Sequence, residues 1–228
     1  MALPGNAFLA IWHDIDADAQ NEYMEWHTRE HMPERLALPG FLVGKRLINH
    51  AVARYRYGTI YAGSEAEVFR STAYLERLNN PTAWSDRVQP AFRNFLRVAC
   101  DRVASAGQGE GGAVATIRLD LPDQTGQPGL MEGAQPLVEQ LLAVRAACCV
   151  HLGVARDEIS SIKTRETELR PVMHERAFDA LILVEGSGLP ELLASIGKFE
   201  KIIDDAGLGL SNPQTIVYNL AYQLSGSD

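Results

Sequence analysis

The feature that most constrains the fold of this 228-residue chain is an order of elements that occurs twice. Apolar runs and helix signals in residues 8–103 predict a strand, a helix, two strands, a helix and a strand. Residues 113–223 predict the same order again, and an internal repeat of this kind outweighs any single motif. Each half therefore matches one βαββαβ unit, in which a four-stranded antiparallel sheet carries two helices on one face.

This order predicts an α+β protein built from two tandem ferredoxin-like modules. Each predicted sheet has one face without helices, and an apolar face of that kind needs a partner. Two modules in one chain can cover each other and close a pseudo-dimeric α/β barrel, which leaves the space between sheet and helices for a pocket. We predict the first module over residues 1–105, a flexible Gly-rich linker over 106–112 and the second module over 113–228. Pairing of exposed strand edges between two copies of the chain would give a homodimer, so this alternative stays open.

The first predicted helix, residues 16–36, carries an unusual polar face. At about 3.6 residues per turn, one face collects Tyr23, Trp26, His27, Glu30, His31 and Glu34. Glu25, Arg29 and Met32 are expected on the opposite face. A helix that packs on a sheet normally buries aliphatic side chains, and buried polar groups are costly unless they are paired. This face is therefore expected to line a pocket, with surface contacts between neighbouring turns as the alternative.

Composition and charge limit the classes of partner. The net charge is -8, the pI is near 5.3, and no cluster of Lys and Arg is present, which argues against nucleic acid or anionic membranes. No apolar run reaches the roughly 18 residues needed to span a bilayer, and the first residues do not resemble a signal peptide. An odd set of cysteines, Cys100, Cys148 and Cys149, is a poor disulfide framework. We therefore expect a cytoplasmic protein that acts on a small-molecule substrate.

One stretch of the first half also matches a known pattern. Trp26-His27-Thr-Arg-Glu-His31-Met-Pro33 is followed by Leu38-Pro39-Gly40-Phe41, which opens a strand. This resembles the EthD-like family of the dimeric α/β-barrel superfamily, where a His-x-Pro on the first helix precedes a Leu-Pro-Gly turn. The resemblance covers about residues 6–104, and the second half has no His-x-Pro. It implies the fold more than a reaction, because the superfamily includes isomerases, polyketide cyclases, decarboxylases, monooxygenases and haem proteins.

The residue types point first to acid–base chemistry. An imidazole titrates near neutral pH and can transfer a proton, so we predict His31 as the base, oriented by His27 or Glu30. The remaining predicted substrate-binding residues are Trp26, Tyr23, Arg46, His50, Tyr57 and Tyr61. An arginine such as Arg46 suits an anionic substrate, while His50 has the alternative of a turn residue and the tyrosines that of core aromatics. The predicted function is a cofactor-independent isomerase, cyclase or lyase acting on a small aromatic-derived or polyketide-like acid or lactone.

Two alternatives stay open at this level. One is a protein that binds a small molecule or another protein without catalysis. The other is a metal-dependent hydrolase, because His27-Thr-Arg-Glu-His31 fits the H-x-x-E-H pattern and two histidines at i,i+4 can share a metal ion. Its third ligand would come from Glu65, Glu67 or Glu76, none of which is singled out by spacing. Haem is not expected, since the second helix of the first half has no histidine and His174 lies in a charged connection. No nucleotide-binding glycine pattern follows a strand, so no cofactor is predicted.

Overall fold

A computed structural model of the chain describes residues 3–121, 127–171 and 177–226. Eight antiparallel strands close into a barrel in the order β1-β3-β2-β8-β5-β7-β6-β4. The strands are β1 (Ala7–Ile15), β2 (Phe41–Ile48), β3 (Tyr57–Gly63), β4 (Phe92–Gly107), β5 (Ala113–Asp120), β6 (Ala147–Ala155), β7 (Ala180–Gly186) and β8 (Ser211–Ser225). The predicted α+β class and the predicted barrel are confirmed.

The two halves of the barrel have matching strand orders. The first half reads β4-β1-β3-β2 and the second reads β8-β5-β7-β6, with seams where β2 meets β8 and β4 meets β6. A β-bulge between Phe41 and Val43 of β2 recurs between Ala147 and Cys149 of β6. Because each of these eight strands is paired on both sides, the sequence argument that open strand edges drive a homodimer does not apply to the described part of the chain.

The helices lie on the outside of the barrel. In the first half, a helix starts with a 3-10 turn (Ala17–Ala19) and continues through α1 (Gln20–Trp26), a π-helical turn (His27–His31) and α2 (Met32–Leu36). The other helices are α3 (Thr72–Asn79), α4 (Ala83–Val88), α5 (Gln127–Leu142), α6 (Asp157–Ser160), α7 (Arg165–Leu169), α8 (Leu189–Leu193) and α9 (Ile196–Asp205). Short 3-10 turns over Ala66–Arg70 and Gln89–Ala91 complete the first half. Within the described residues, no helix is long and apolar enough to cross a membrane.

The structure differs from the sequence prediction in several boundaries. The predicted linker is partly strand, because β4 runs to Gly107, and the Gly111 amide beyond it donates a hydrogen bond to Glu185 Oε2 at 3.3 Å. The second predicted helix of the first half is interrupted, since a 3-10 turn over Ala66–Arg70 comes first and α3 starts after Ser71, whose Oγ accepts the Tyr74 amide at 3.3 Å. Tyr55 lies before the first residue of β3, with φ 60, and packs into the barrel interior.

Hydrophobic clusters stabilise the barrel interior and the helix layer of each half. The barrel interior contains apolar side chains from both halves, such as Phe8, Trp12 and Leu183, and a buried ion pair in which Lys45 Nζ contacts Glu185 Oε1 at 2.7 Å. In the second half, the space between helices and sheet is filled by aliphatic and aromatic side chains that include Leu137, Val138, Leu141, Phe199 and Ile203. The corresponding space of the first half contains the pocket described next.

Candidate functional site

The polar helix of the first half contains an inserted residue. The Met32 amide donates to the carbonyl of His27, an i to i+5 bond that defines the π-helical turn. The insertion shifts the inward face by one position, so Met32 (0% exposed) and Arg35 (1% exposed) point to the sheet. Glu30 and Glu34 are displaced to the rim, where Glu30 Oε1 accepts the Thr82 hydroxyl at 2.5 Å. The prediction of Met32 on the outer face is therefore wrong, because a regular 3.6-residue wheel was assumed.

A pocket lies between this helix and the outer face of the first-half sheet. It comprises about 670 Å³ not occupied by protein atoms, a volume that includes open solvent. The sheet supplies the floor with Ile11 and His13 from β1, Thr59 and Tyr61 from β3, and Arg97 from β4. The helix supplies Trp26, His27, His31 and Arg35, and further aromatic walls come from Phe69, Tyr74, Phe92 and Phe95. Of the helix face predicted to line a pocket, Trp26, His27 and His31 line it, whereas Tyr23, Glu30 and Glu34 do not.

The second half of the chain closes one side of this pocket. The segment that connects β6 to β7 brings Ile162, Thr164, Glu166, Thr167 and Arg170 against the first-half site. Glu166 is 1% exposed, and its Oε1 accepts a hydrogen bond from Arg35. Its Oε2 accepts one from the Arg170 guanidinium at 3.3 Å. The pocket is therefore shared by both halves, with a buried Arg–Glu–Arg cluster between them.

Of the predicted site residues, Trp26, His27, His31 and Tyr61 line the pocket. Tyr23 and Tyr57 lie behind it and support His13, with the Tyr23 hydroxyl 3.1 Å from His13 Nε2 and the Tyr57 ring stacked at 5.4 Å. These two tyrosines are buried core residues rather than wall residues.

Arg46 and His50 lie outside the pocket, as does Glu30 of the first helix. Arg46 donates to Thr28 Oγ1 at 2.8 Å and lies over the Tyr222 ring, while His50 is exposed at the end of β2. The physical reason is that the pocket is centred over β4, β1 and β3, whereas β2 lies one strand farther around the barrel. Direct contact of Arg46 or His50 with a ligand in this pocket is therefore not supported.

The imidazoles of the site are held neutral. Burial lowers the pKa of His31 and of His27 well below the usual value, and the nearby guanidiniums of Arg35 and Arg46 respectively act in the same direction. Burial also lowers the pKa of His13 to about 3. The His31 ring centroid lies 4.2 Å from the Trp26 ring and 5.6 Å from the His27 ring. Both imidazoles therefore keep a free lone pair at pH 7, and the lowered pKa makes each a weaker base than an ordinary histidine.

Several pocket atoms are buried without a protein partner. Among the described residues, they are His27 Nδ1, His31 Nδ1, Tyr61 OH, Gln89 Nε2 and Arg97 Nε. Buried polar atoms are nearly always hydrogen-bonded in folded proteins, and an apolar cavity with a few convergent polar groups is typical of a ligand site. The five residues line one cavity, whose mixture of aromatic and polar side chains is typical of a small-molecule site.

Sequence reasoning missed His13, Gln89, Arg97, Glu166 and Arg170. His13 and Arg97 could have been found from strand alternation, since each shares a sheet face with a residue of the pocket floor. The second-half residues carry no local signal, because their contact with the site depends on how the two halves close. His174 lies outside the described residues.

The zinc interpretation lacks a third ligand. Within residues 3–121, 127–171 and 177–226, no group of three or more His, Cys, Asp or Glu side chains is arranged to hold a metal ion. The carboxylate named by the motif, Glu30, is bound to Thr82, and Glu67 is paired with Arg70 and Arg156. His27 and His31 alone do not complete the tetrahedral set that zinc requires.

No family model matches the chain, and no curated protein matches it in sequence. Solved structures do match over nearly the whole length. An anthrone oxidase-like protein has a TM-score of 0.64 at 9% identity, covering 100% of this chain and 97% of that one. A putative monooxygenase from Lactobacillus acidophilus NCFM has a TM-score of 0.58 at 7% identity, covering 98% and 97%.

A mutant chlorite dismutase from Candidatus Nitrospira defluvii has a TM-score of 0.55 at 9% identity, covering 95% of this chain and 91% of that one. At these identities the similarity shows the fold and not the reaction. The similarity extends over nearly the whole chain, and the predicted pseudo-dimeric α/β-barrel fold is confirmed.

Proposed function

We propose that the protein is a cofactor-independent enzyme that removes a proton from a flat, aromatic-derived or polyketide-like substrate bound in the first-half pocket. The observation that carries the proposal is the set of unpartnered polar atoms around neutral imidazoles in an aromatic cavity. Isomerases, cyclases and lyases that act next to a carbonyl begin with such a proton transfer. The full-length similarity to oxidase-like and monooxygenase-like structures is compatible with small-molecule chemistry in this fold.

His31 is the proposed base. Its Nδ1 has no protein partner, and the Trp26 ring at 4.2 Å fixes one side of the imidazole. The Tyr61 hydroxyl is the proposed donor to the oxyanion that forms when the proton leaves, because burial raises the pKa of Tyr61 and keeps it protonated. His27, whose Nε2 lies 3.4 Å from Thr59 Oγ1, orients the adjacent ring.

The carbanion formed in this step has two outcomes. Reprotonation at another atom gives an isomerase or a cyclase, whereas reaction with dioxygen gives an oxidase or monooxygenase. The second outcome is a candidate because similar structures are described as anthrone oxidase-like and as putative monooxygenases. Oxygen consumption during turnover separates the two.

Proton removal can be tested without knowing the final product. We expect the wild-type protein, incubated in D2O with anthrones, aryl lactones and phenolic acids, to exchange an acidic C–H for deuterium, as followed by NMR. Replacing His31 with Gln should lower the exchange rate at least about a hundredfold, the usual contribution of general base catalysis. His50→Gln is the matched control, because His50 is exposed and outside the pocket.

Equal exchange by wild type and His31→Gln would contradict the role of His31. Binding of these compounds by wild type without exchange or oxygen uptake would contradict catalysis and support a small-molecule-binding protein.

The pH dependence of exchange is a separate prediction. A base acts in its deprotonated form, so activity is lost as the pH falls through its pKa. Because the pKa of His31 is lowered well below 6.5 by burial and by Arg35, we expect the exchange rate to stay constant from pH 8 to 6.5. The decline should start only below pH 6.5. A decline centred at pH 6.5 or above, in the pH–rate profile, would show a normally titrating histidine instead.

A further inference from the structure

We propose that Arg97 forms a carboxylate-binding subsite at one end of the pocket floor, so that the substrate is an aromatic acid held with its reacting carbon at the opposite, imidazole end. This inference deepens the proposed function and rests on it for the reaction. The subsite itself is argued from strand register, charge and hydrogen bonding.

The register of three adjacent strands sets the length of the site. Ile11 of β1 pairs with Arg97 of β4 on one side and with Thr59 of β3 on the other. Neighbouring strands lie about 4.8 Å apart, so the backbones at Arg97 and Thr59 are separated by about 10 Å. His27 lies over the Thr59 end, with its Nε2 3.4 Å from Thr59 Oγ1. The Arg97 side chain therefore starts at one edge of the pocket floor and His27 lies over the other edge, with Ile11 between them.

The charges that line the pocket do not balance. Three guanidiniums, from Arg35, Arg97 and Arg170, face one carboxylate, Glu166, which gives an excess of 3 - 1 = 2 positive charges. Outside the lining, Glu34 contacts Arg35 at 3.1 Å but is shared with Arg77 at 3.6 Å, so the pair adds no net negative charge. Both Arg35 and Arg170 contact Glu166. Among the described residues, Arg97 is thus the lining cation with no carboxylate partner, and an anionic ligand would balance it.

The hydrogen bonds of Arg97 also identify it as the residue that binds an anion. Two Arg97 nitrogens donate to backbone carbonyls, those of Ile159 at 3.2 Å and Phe69 at 3.3 Å, while Nε is buried without a partner. These contacts hold the guanidinium over the floor but do not neutralise its charge. Arginine is the side chain best suited to bind a carboxylate through planar, charge-assisted hydrogen bonds.

Gln89 adds a second donor to the same cavity. It is 0% exposed, and its Oε1 accepts a hydrogen bond from Arg170 Nε at 2.6 Å. This contact fixes the orientation of the amide and leaves Nε2 buried without a protein partner. A carboxylate is able to accept from both Arg97 and Gln89, whereas a neutral hydrocarbon end would leave both donors buried and unpaired.

The test compares two probes of nearly equal shape, 2-naphthoate and 2-naphthamide, by isothermal titration calorimetry. We expect wild type to bind the naphthoate at least about tenfold more tightly than the naphthamide. Arg97→Gln should weaken naphthoate binding about ten- to a hundredfold, the usual range for loss of a hydrogen bond to a charged group, and leave naphthamide binding within about twofold. Arg97→Lys should keep most of the preference for naphthoate over naphthamide. This result would show that the loss of affinity in Arg97→Gln follows from charge rather than from misfolding.

Arg87→Gln is the matched control, because Arg87 is an exposed guanidinium that contacts Glu22 on the surface. It should bind both probes as wild type does. His31→Gln should keep the naphthoate preference even though it loses exchange, which separates the subsite from the proposed base. Equal affinity for the two probes, no binding of the naphthoate to wild type, or an unchanged preference in Arg97→Gln would each overturn the subsite. None of those results would alter the test of proton removal.

Discussion

Replacing Glu166 with glutamine should lower the free energy of unfolding by about 3–5 kcal/mol. The side chain is 2% exposed and lies between Arg35, whose side chain is also 2% exposed, and Arg170, whose side chain is 10% exposed. Removing one member of a buried ionic cluster leaves the other charges in a medium that solvates them poorly. Here two guanidiniums would lose their shared carboxylate. Urea denaturation at pH 7 measures the change.

Glu34 provides the matched control for this prediction. It also contacts Arg35, at 3.1 Å, but its side chain is 17% exposed at the pocket rim. Glu34→Gln should therefore cost less than about 1 kcal/mol, as is usual for solvent-accessible ion pairs. Similar losses for the two variants would mean that Glu166 does not serve as a buried counter-ion for the pair of arginines.

Acid should destabilise the fold well before most carboxylates titrate. Burial lowers the pKa of both His13 and His151 to about 3, and for His151 the charges of Arg102 and Lys45 add to the effect. A histidine whose pKa is lower in the folded state takes up its proton preferentially when unfolded. Its contribution to stability is therefore complete above pH 6.5, the unfolded value, and is lost as the pH falls towards 3.

For each of these two histidines, the free energy of unfolding should fall by about 1.4 kcal/mol per unit of falling pH within that window. At pH 5 the two together should lower the free energy of unfolding by about 4 kcal/mol relative to pH 7. His27 and His31 shift in the same direction and add to the loss. Urea titrations at pH 7 and pH 5 give the difference directly.

His151→Gln tests whether His151 contributes to the pH dependence of stability. The glutamine amide can replace the ring contacts to Ser105 Oγ, at 2.8 Å, and to Cys149 Sγ, at 3.3 Å, without titrating. It should remove about 2 kcal/mol of the difference between pH 5 and pH 7. A pH dependence as steep as that of wild type would show that His151 is not held neutral in the fold.

Strand alternation and the repeated order of elements were sufficient to predict the barrel. In β1, Phe8 and Trp12 face the barrel interior and Leu9 and Ile11 face the helices, as expected from a period of two. The pocket face of the first helix was predictable in part, up to the π-helical turn. The wheel fails after His27 because a hydrogen bond to the fifth residue changes the period, and no propensity rule locates such a turn.

The remaining part of the site was not predictable from local sequence. Glu166 and Arg170 belong to a charged segment with no apolar period, and they meet Arg35 across a sequence separation of more than a hundred residues. Arg46 shows the opposite case, a residue predicted for the site that lies outside it. Its residue type suits an anionic ligand, but its position on β2 directs it to Tyr222 instead. The sequence predicts which face of a strand a residue occupies. It does not predict how far apart two strands lie around a closed barrel.

The buried Lys45–Glu185 pair favours the association of unlike halves. Counted from the equivalent glycines Gly63 and Gly186, Glu185 occupies the position of Ala62, and Lys45 occupies that of His151. Two first halves joined symmetrically would face each Lys45 with an alanine, and two second halves would bury each Glu185 without a lysine. Only the mixed combination places opposite charges together inside the barrel. If the halves are produced as separate polypeptides, they are expected to select each other over copies of themselves.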